Sequence, residues 1–103
     1  MSVRVVLIGC GRIAGYFHGP ILGALPGAEL VAAVDADPDA RARATARTPG
    51  VTRFADWGPA LATIPLDAAV ICLPPALHAP AARDALAAGL HVYIGSPGAS
   101  WVR

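Results

Sequence analysis

A glycine-rich turn close to the N-terminus constrains the fold of this chain more than any other feature. The residues G-C-G-R-I-A, at positions 9–14, follow a run at positions 3–8 that is apolar apart from Arg4. A mostly apolar run rich in β-branched residues is typical of a strand that is buried on both faces. After the turn, apolar residues recur at helical spacing until Pro26 and Gly27, which form a typical helix stop. The start of the chain therefore predicts a strand, a tight turn and a helix.

The rest of the chain repeats this alternation of strand and helix. We expect further strands at positions 29–34, 51–54, 68–73 and 91–94, and helices at 13–25, 38–48, 57–63 and 79–88. Strands that alternate with helices through short loops predict an α/β fold, a doubly wound parallel sheet of Rossmann type with about five strands. We place this domain at residues 1–94 and expect a short irregular tail at residues 95–103.

The composition excludes several classes of protein. Hydrophobic residues make up 55% of the chain, charged residues 15%, and the net charge is +1, so we expect a globular domain that binds neither nucleic acid nor membrane. The first apolar run is not a secretion signal, because only Arg4 precedes it and the glycines break it. Cys10 and Cys72 are too few and too far apart for a disulfide framework, which predicts a cytoplasmic protein.

The residues of the turn predict a dinucleotide site. Gly9 permits a tight turn, Gly11 lets the backbone approach a pyrophosphate, and Ala14 is small enough for close packing of helix on strand. Asp35, at the end of the second predicted strand, can accept hydrogen bonds from both ribose hydroxyls and would repel a 2′-phosphate. These residues predict NAD as cofactor, with NADP less favoured. The alternative interpretation is a glycine turn that packs tightly and binds nothing.

These segments resemble the N-terminal half of the Gfo/Idh/MocA oxidoreductases, the glucose-fructose oxidoreductase and inositol dehydrogenase group. The resemblance covers nearly the whole chain and includes the glycine turn, Asp35, a P-P-x-x-H segment at positions 74–78 and an A-G-x-H-V segment at positions 88–92. It implies an NAD(P)-binding Rossmann domain from an enzyme that acts on sugars or polyols. It also implies that Leu73, Pro74 and His78 line the nicotinamide side, although a rigid exit from the strand would explain them equally well. The predicted cofactor-binding residues are Gly9, Cys10, Gly11, Arg12, Ile13, Asp35, Leu73, Pro74 and His78.

The chain departs from the family where the resemblance implies a catalytic lysine. The family's E-K-P is replaced by Gly95, Ser96 and Pro97, and the chain contains no lysine. A serine hydroxyl cannot supply the positive charge that favours an alkoxide-like state. We therefore assign no catalytic residue, expect the domain not to be catalytic alone, and leave open whether it works as an enzyme.

The resemblance stops at Ile94, which we interpret as truncation before a sixth strand and a substrate domain. Two alternatives stay open: a stand-alone nucleotide-sensing or protein-interaction module, and the product of a truncated or frameshifted oxidoreductase gene. Besides a nicotinamide dinucleotide, the expected partners are a separate substrate domain or a second copy of the chain. The second copy would pair with the bare edge of the fifth predicted strand.

Other reactive or charged side chains predict no further site. The potential metal ligands lack the spacing of a metal site, so we expect no metal; they are Cys10, Cys72, His18 and His78. The arginines of the second predicted helix, Arg41, Arg43 and Arg47, are interpreted as a solvated face. Arg41 lies near the ribose end and could admit a 2′-phosphate if Asp35 turned away.

Overall fold

A single sheet with helices on both faces organises the chain. The computed structural model describes residues 2–10, 27–46, 48, 50–94 and 101–102. The described strands are β1 (Val3–Ile8), β2 (Ala28–Val34), β3 (Thr52–Phe54), β4 (Ala68–Ile71), β5 (His91–Ile94) and β6 (Trp101–Val102). The described helices are α1 (Pro38–Ala44), α2 (Trp57–Thr63) and α3 (Pro75–Ala87). The sheet order is β3-β2-β1-β4-β5-β6, with β1 to β5 parallel, which confirms the predicted doubly wound parallel sheet.

The two faces of the sheet carry separate clusters of buried side chains. On one face, Ala40 of α1 packs with alternate residues of the central strands, such as Leu7 and Val70. On the other face, alanines of α2 and α3 pack with the intervening residues, such as Ile8 and Ile71. Because β1 and β4 are covered on both sides, each buried Val, Leu or Ile contributes roughly 1.5–3 kcal/mol to stability. This two-sided burial explains why the strands read as continuous apolar runs.

The predicted bounds are confirmed for β1 and β5 but not for every helix. α1 ends at Ala44 instead of residue 48, because Thr45 adopts φ −107° and ψ 10° and its hydroxyl donates to the Arg41 carbonyl. α3 begins at Pro75, four residues before the predicted start, since proline has no amide hydrogen to leave unsatisfied at the first helical position. The helix predicted at 13–25 lies outside the described residues. None of the described helices is long and apolar enough to cross a membrane.

The end of the chain differs from the expectation of an irregular tail and a bare sheet edge. Trp101–Val102 forms β6, which pairs antiparallel with β5 through Cα partners Val92–Val102 and Tyr93–Trp101. At Val92 and Tyr93, β5 is thus paired with a neighbouring strand on both sides, with β4 on one and β6 on the other. The prediction that β5 forms the edge of the sheet is wrong, because a strand of only two residues suffices to cover half of a four-residue strand.

Candidate cofactor site

The carboxyl ends of the three central strands meet at one edge of the sheet. Ile8 is the Cα partner of both Val34 in β2 and Ile71 in β4. The residues that follow these strands, Gly9 and Asp35 among them, therefore lie side by side. The order of the chain reverses between β1 and β4, and a crevice at such a switch point is where ligands bind in open α/β sheets.

Gly9 turns the chain out of β1 at a place where only glycine fits. Its φ is +94°, and a Cβ atom built on it would lie 2.8 Å from both the carbonyl carbon and the carbonyl oxygen of Cys72. Its amide donates to the Val34 carbonyl at 2.7 Å, which ties the turn to β2. The backbone of the turn thus lies directly against the end of β4, as expected for the first glycine of the motif.

The carboxylate of Asp35 is held by two main-chain amides. Cys10 N donates to Oδ2 at 2.7 Å, and Asp37 N donates to Oδ1 at 2.8 Å. Asp35 as a whole is half-buried at the edge of the sheet. Each carboxylate oxygen can accept about two hydrogen bonds, which leaves one acceptor position on each. Two vicinal hydroxyls, such as those of a ribose, fit these two positions.

Helix α1 begins directly after this carboxylate. The side chain of Asp37 caps the helix by accepting from Asp39 N at 3.0 Å, and Pro38 occupies the first helical position. Arg41 returns towards the sheet, where its Nη1 donates to the main-chain carbonyl of Asp35. The interpretation of Arg41 as part of a solvated face is therefore wrong, whereas Arg43 is exposed as expected.

The two cysteines beside the turn are protonated, buried thiols. Burial, followed by the nearby Asp35 carboxylate, raises the pKa of the Cys10 thiol from 9.0 to about 12. Burial raises the pKa of the Cys72 thiol to about 11. A thiol is a nucleophile or metal ligand only when deprotonated, so at neutral pH both act as small apolar groups. In the described part of the chain, no three His, Cys, Asp or Glu side chains are grouped as a metal site would require.

The junction between β4 and α3 contains the three residues that the resemblance places near the nicotinamide. Nε2 of His78 lies within hydrogen-bonding distance of the Leu73 carbonyl, and since a carbonyl only accepts, this nitrogen carries the proton. Pro74 is exposed and forms the N-cap position of α3, with φ −55° and ψ 150°. The chain therefore leaves β4 in an extended conformation at Pro74 and enters α3 at the next residue, and both a structural role and a role towards a cofactor stay predictions for these residues.

The structure brings together some of the predicted site residues and leaves others outside the described part. At the sheet edge Cys10 contacts Asp35, and Gly9 lies against the backbone of Leu73, which in turn contacts His78 at the neighbouring junction. Three predicted cofactor-binding residues and the position of the replaced lysine lie outside the described residues; they are Gly11, Arg12, Ile13 and Ser96. Sequence reasoning placed Arg41 near the ribose end, six residues after Asp35, but it did not predict the hydrogen bond from this side chain to the Asp35 carbonyl.

Comparison with known proteins places the whole described sheet in one family. Residues 3–102 match the Gfo/Idh/MocA family, described as an oxidoreductase family with an NAD-binding Rossmann fold. A galactose 1-dehydrogenase from Pseudomonas fluorescens is 35% identical over 97 residues, which cover 92% of this chain and 29% of the relative.

Solved structures agree with this assignment. The WlbA dehydrogenase from Bordetella pertussis, in complex with NADH and UDP-GlcNAcA, has a TM-score of 0.80 and 36% identity. The alignment covers 91% of this chain and 28% of that one. A variant of KijD10, a 3-ketoreductase from Actinomadura kijaniata in complex with TDP-benzene and NADP, has a TM-score of 0.76 and 34% identity, covering 91% and 29%. The chain thus spans less than a third of the length of each of these proteins. On the strength of a match that runs from β1 to β6, the chain belongs to the Gfo/Idh/MocA oxidoreductase family, through its NAD-binding Rossmann domain.

Proposed function

We propose that this chain binds NAD or NADH as the cofactor domain of an oxidoreductase that acts on a sugar or polyol derivative. The observation that carries the proposal is the Asp35 carboxylate, which two amides fix in place while one acceptor position on each oxygen stays available. The tight turn at Gly9 lies beside it, where a pyrophosphate would follow the ribose. When bound, the dinucleotide supplies a nicotinamide ring that takes up or releases a hydride.

The proposed preference for NAD over NADP also depends on Asp35. A 2′-phosphate would place a second negative charge and further acceptor oxygens against an acceptor-only carboxylate. The relatives include one complex with NADH and one with NADP, so the family alone does not determine the choice. In this chain the neighbouring cation, Arg41, is directed at the Asp35 carbonyl through Nη1, so the proposed preference depends on the Asp35 carboxylate.

We propose separate tasks for the two sides of the crevice. On one side, Asp35 orients the adenine ribose, while Gly9, Cys10, Gly11, Arg12 and Ile13 hold the pyrophosphate against the glycine turn. On the other side, Leu73, Pro74 and His78 line the nicotinamide. The contact between His78 and the Leu73 carbonyl supports this second task, because it fixes the backbone that would lie against the ring.

We propose that turnover needs groups that this chain does not supply. The chain contains no lysine, and Ser96 stands where the resemblance implies one. Since positioning the substrate against the nicotinamide accounts for a large part of an enzyme's rate, we infer that a substrate domain completes the site. A cytoplasmic location fits the free thiols of Cys10 and Cys72, because buried free cysteines are typical of reducing compartments.

Calorimetric titration of NADH and NADPH into the wild type and the Asp35→Ser variant tests this function. We expect the wild type to bind NADH about tenfold more tightly than NADPH, since a favourable hydrogen-bonded contact and an unfavourable charge pair differ by ~1–3 kcal/mol. Asp35→Ser should weaken NADH binding and remove the preference. Asp56→Ser is the matched control, because Asp56 is exposed and its side chain caps nothing in α2. Equal or tighter binding of NADPH by the wild type would contradict the assignment.

A further inference from the structure

We propose that Arg41, supported by Thr45 and Arg53, is a positioning residue that fixes the Asp35 carboxylate for ribose recognition. The inference rests on the proposed function, which names the ribose as the ligand of Asp35. It adds residues from α1 and β3 that do not themselves contact the dinucleotide.

The main chain of Asp35 is held on both sides of its Cα atom. Its amide donates to the Phe54 carbonyl at 3.0 Å, which ties it to β3. Its carbonyl accepts from Nη1 of Arg41, which ties it to α1. With both peptide groups held, the side chain can make its bonds to Cys10 N and Asp37 N without a search of other backbone conformations.

Arg41 is in turn held by a buried threonine. Thr45 is 2% exposed and is the buried polar side chain of the described residues. Its Oγ1 donates to the Arg41 carbonyl at 2.8 Å and accepts from Nε of Arg53 at 3.0 Å. A buried hydroxyl is unfavourable unless it is hydrogen-bonded, and this one uses both its donor and an acceptor position.

The hydrogen bonds form a closed circuit between two neighbouring strands and a helix. Arg53 in β3 is the Cα partner of Ala33 in β2, and the next residue of β3 accepts from the Asp35 amide. From Asp35 the circuit continues through Arg41 and Thr45 and returns to Arg53. A displacement of α1 relative to β2 and β3 therefore has to break at least one of these bonds.

The environment of Arg41 favours a role at the site over simple packing. Its Nε is buried without a hydrogen-bond partner, and a buried donor without a partner is unfavourable for stability. An apolar side chain at this position would avoid that loss. Its positive charge also acts on the turn. The pKa of the Cys10 thiol is raised overall by burial and by Asp35, and the charge of Arg41 opposes this rise in part. The guanidinium thus lies at the junction of the ribose carboxylate and the pyrophosphate turn.

The first test uses the protein without ligand and measures amide hydrogen exchange by NMR. Arg41→Met should speed exchange of the Cys10 and Asp37 amides, the two donors to the Asp35 carboxylate, by about tenfold relative to the wild type. Arg43→Met is the matched control, because it removes the same charge from an exposed position of the same helix. Unchanged protection of both amides in Arg41→Met would overturn the proposal.

The second test is a double-mutant cycle on NADH affinity. Arg41→Met should weaken NADH binding about tenfold, Arg41→Lys should recover part of the loss, and Arg41→Met should have less than a twofold effect in the Asp35→Ser background. A structural role alone would weaken binding equally in both backgrounds, and that result contradicts the proposal. If Arg41→Met fails to fold, Thr45→Val, which removes two bonds of the circuit, takes its place in both tests.

The two tests separate this inference from the proposed function. If the wild type binds no NADH while Arg41→Met still speeds hydrogen exchange of the Cys10 and Asp37 amides, the cofactor assignment is wrong. The positioning of Asp35 by Arg41 then stands. If the wild type binds NADH and the amides do not respond to Arg41→Met, the cofactor assignment stands and the positioning role is wrong.

Discussion

Replacing Gly9 by alanine separates two reasons for glycine at the start of the turn. The first is its φ of +94°, a conformation that costs a residue with a side chain roughly 1–3 kcal/mol. The second is the close approach of the chain just after β4, where backbone atoms of Cys72 lie 2.8 Å from the position of the new Cβ. Relief of such a contact requires movement of two main-chain segments, and overpacking of a core typically costs about 1–3 kcal/mol. Gly9→Ala should therefore lower the free energy of unfolding by about 2–6 kcal/mol. This is a large share of the ~5–15 kcal/mol by which a small domain is stable.

Gly50→Ala isolates the first of these reasons. Gly50 has φ +91°, yet no atom lies within 4 Å of the Cβ that alanine would add. Gly50→Ala should therefore lower the free energy of unfolding only by the cost of the unfavourable φ, about 1–3 kcal/mol. Urea unfolding followed by tryptophan fluorescence measures both losses from the midpoints, provided that the slopes are equal. Equal losses in the two variants would refute the close approach of the Gly9 and Cys72 backbones, and with it the second reason for glycine at this position.

Four further predictions concern the two thiols, the position of Ser96 and the edge of the sheet. Because the pKa values of Cys10 and Cys72 rise from 9.0 on folding, the unfolded chain loses these protons first, so the stability should fall as the pH rises from about 9 to about 12. Iodoacetamide at pH 8 should modify neither thiol in the folded protein, and rapid labelling would contradict their burial. Ser96→Lys should not create sugar or polyol oxidation with NAD, measured as NADH absorbance, and turnover by this variant would contradict the need for a substrate domain. Since β6 pairs with β5, light scattering should show a monomer, and a dimer would point to a surface other than the β5 edge.

The predictable part of the fold comes from features that short stretches of sequence determine. β1 lies where the sequence is apolar at every position but Arg4, since a strand covered on both faces contains few polar positions. Asp35 was identified because it follows the second such run, and parallel strands end at the same edge of a sheet. In contrast, the start of α3 was ambiguous, because Pro75 is compatible both with an extended exit and with the first position of a helix.

Arg41 shows why part of the site could not be predicted from the sequence. An arginine among other arginines on a short helix indicates a solvated face, because charge patterns carry no information on how the helix is rotated about the sheet. That rotation depends on the buried Ala40, which turns one side of α1 to the core, and on Thr45, whose hydroxyl ends the helix and bonds Arg53. Each of these contacts joins residues from different elements, and only together do they bring the guanidinium to the Asp35 carbonyl. In this domain the strand that ends at Asp35 follows from local pattern, whereas the hydrogen bond from Arg41 to the Asp35 carbonyl follows from the packing of α1 on one face of the sheet.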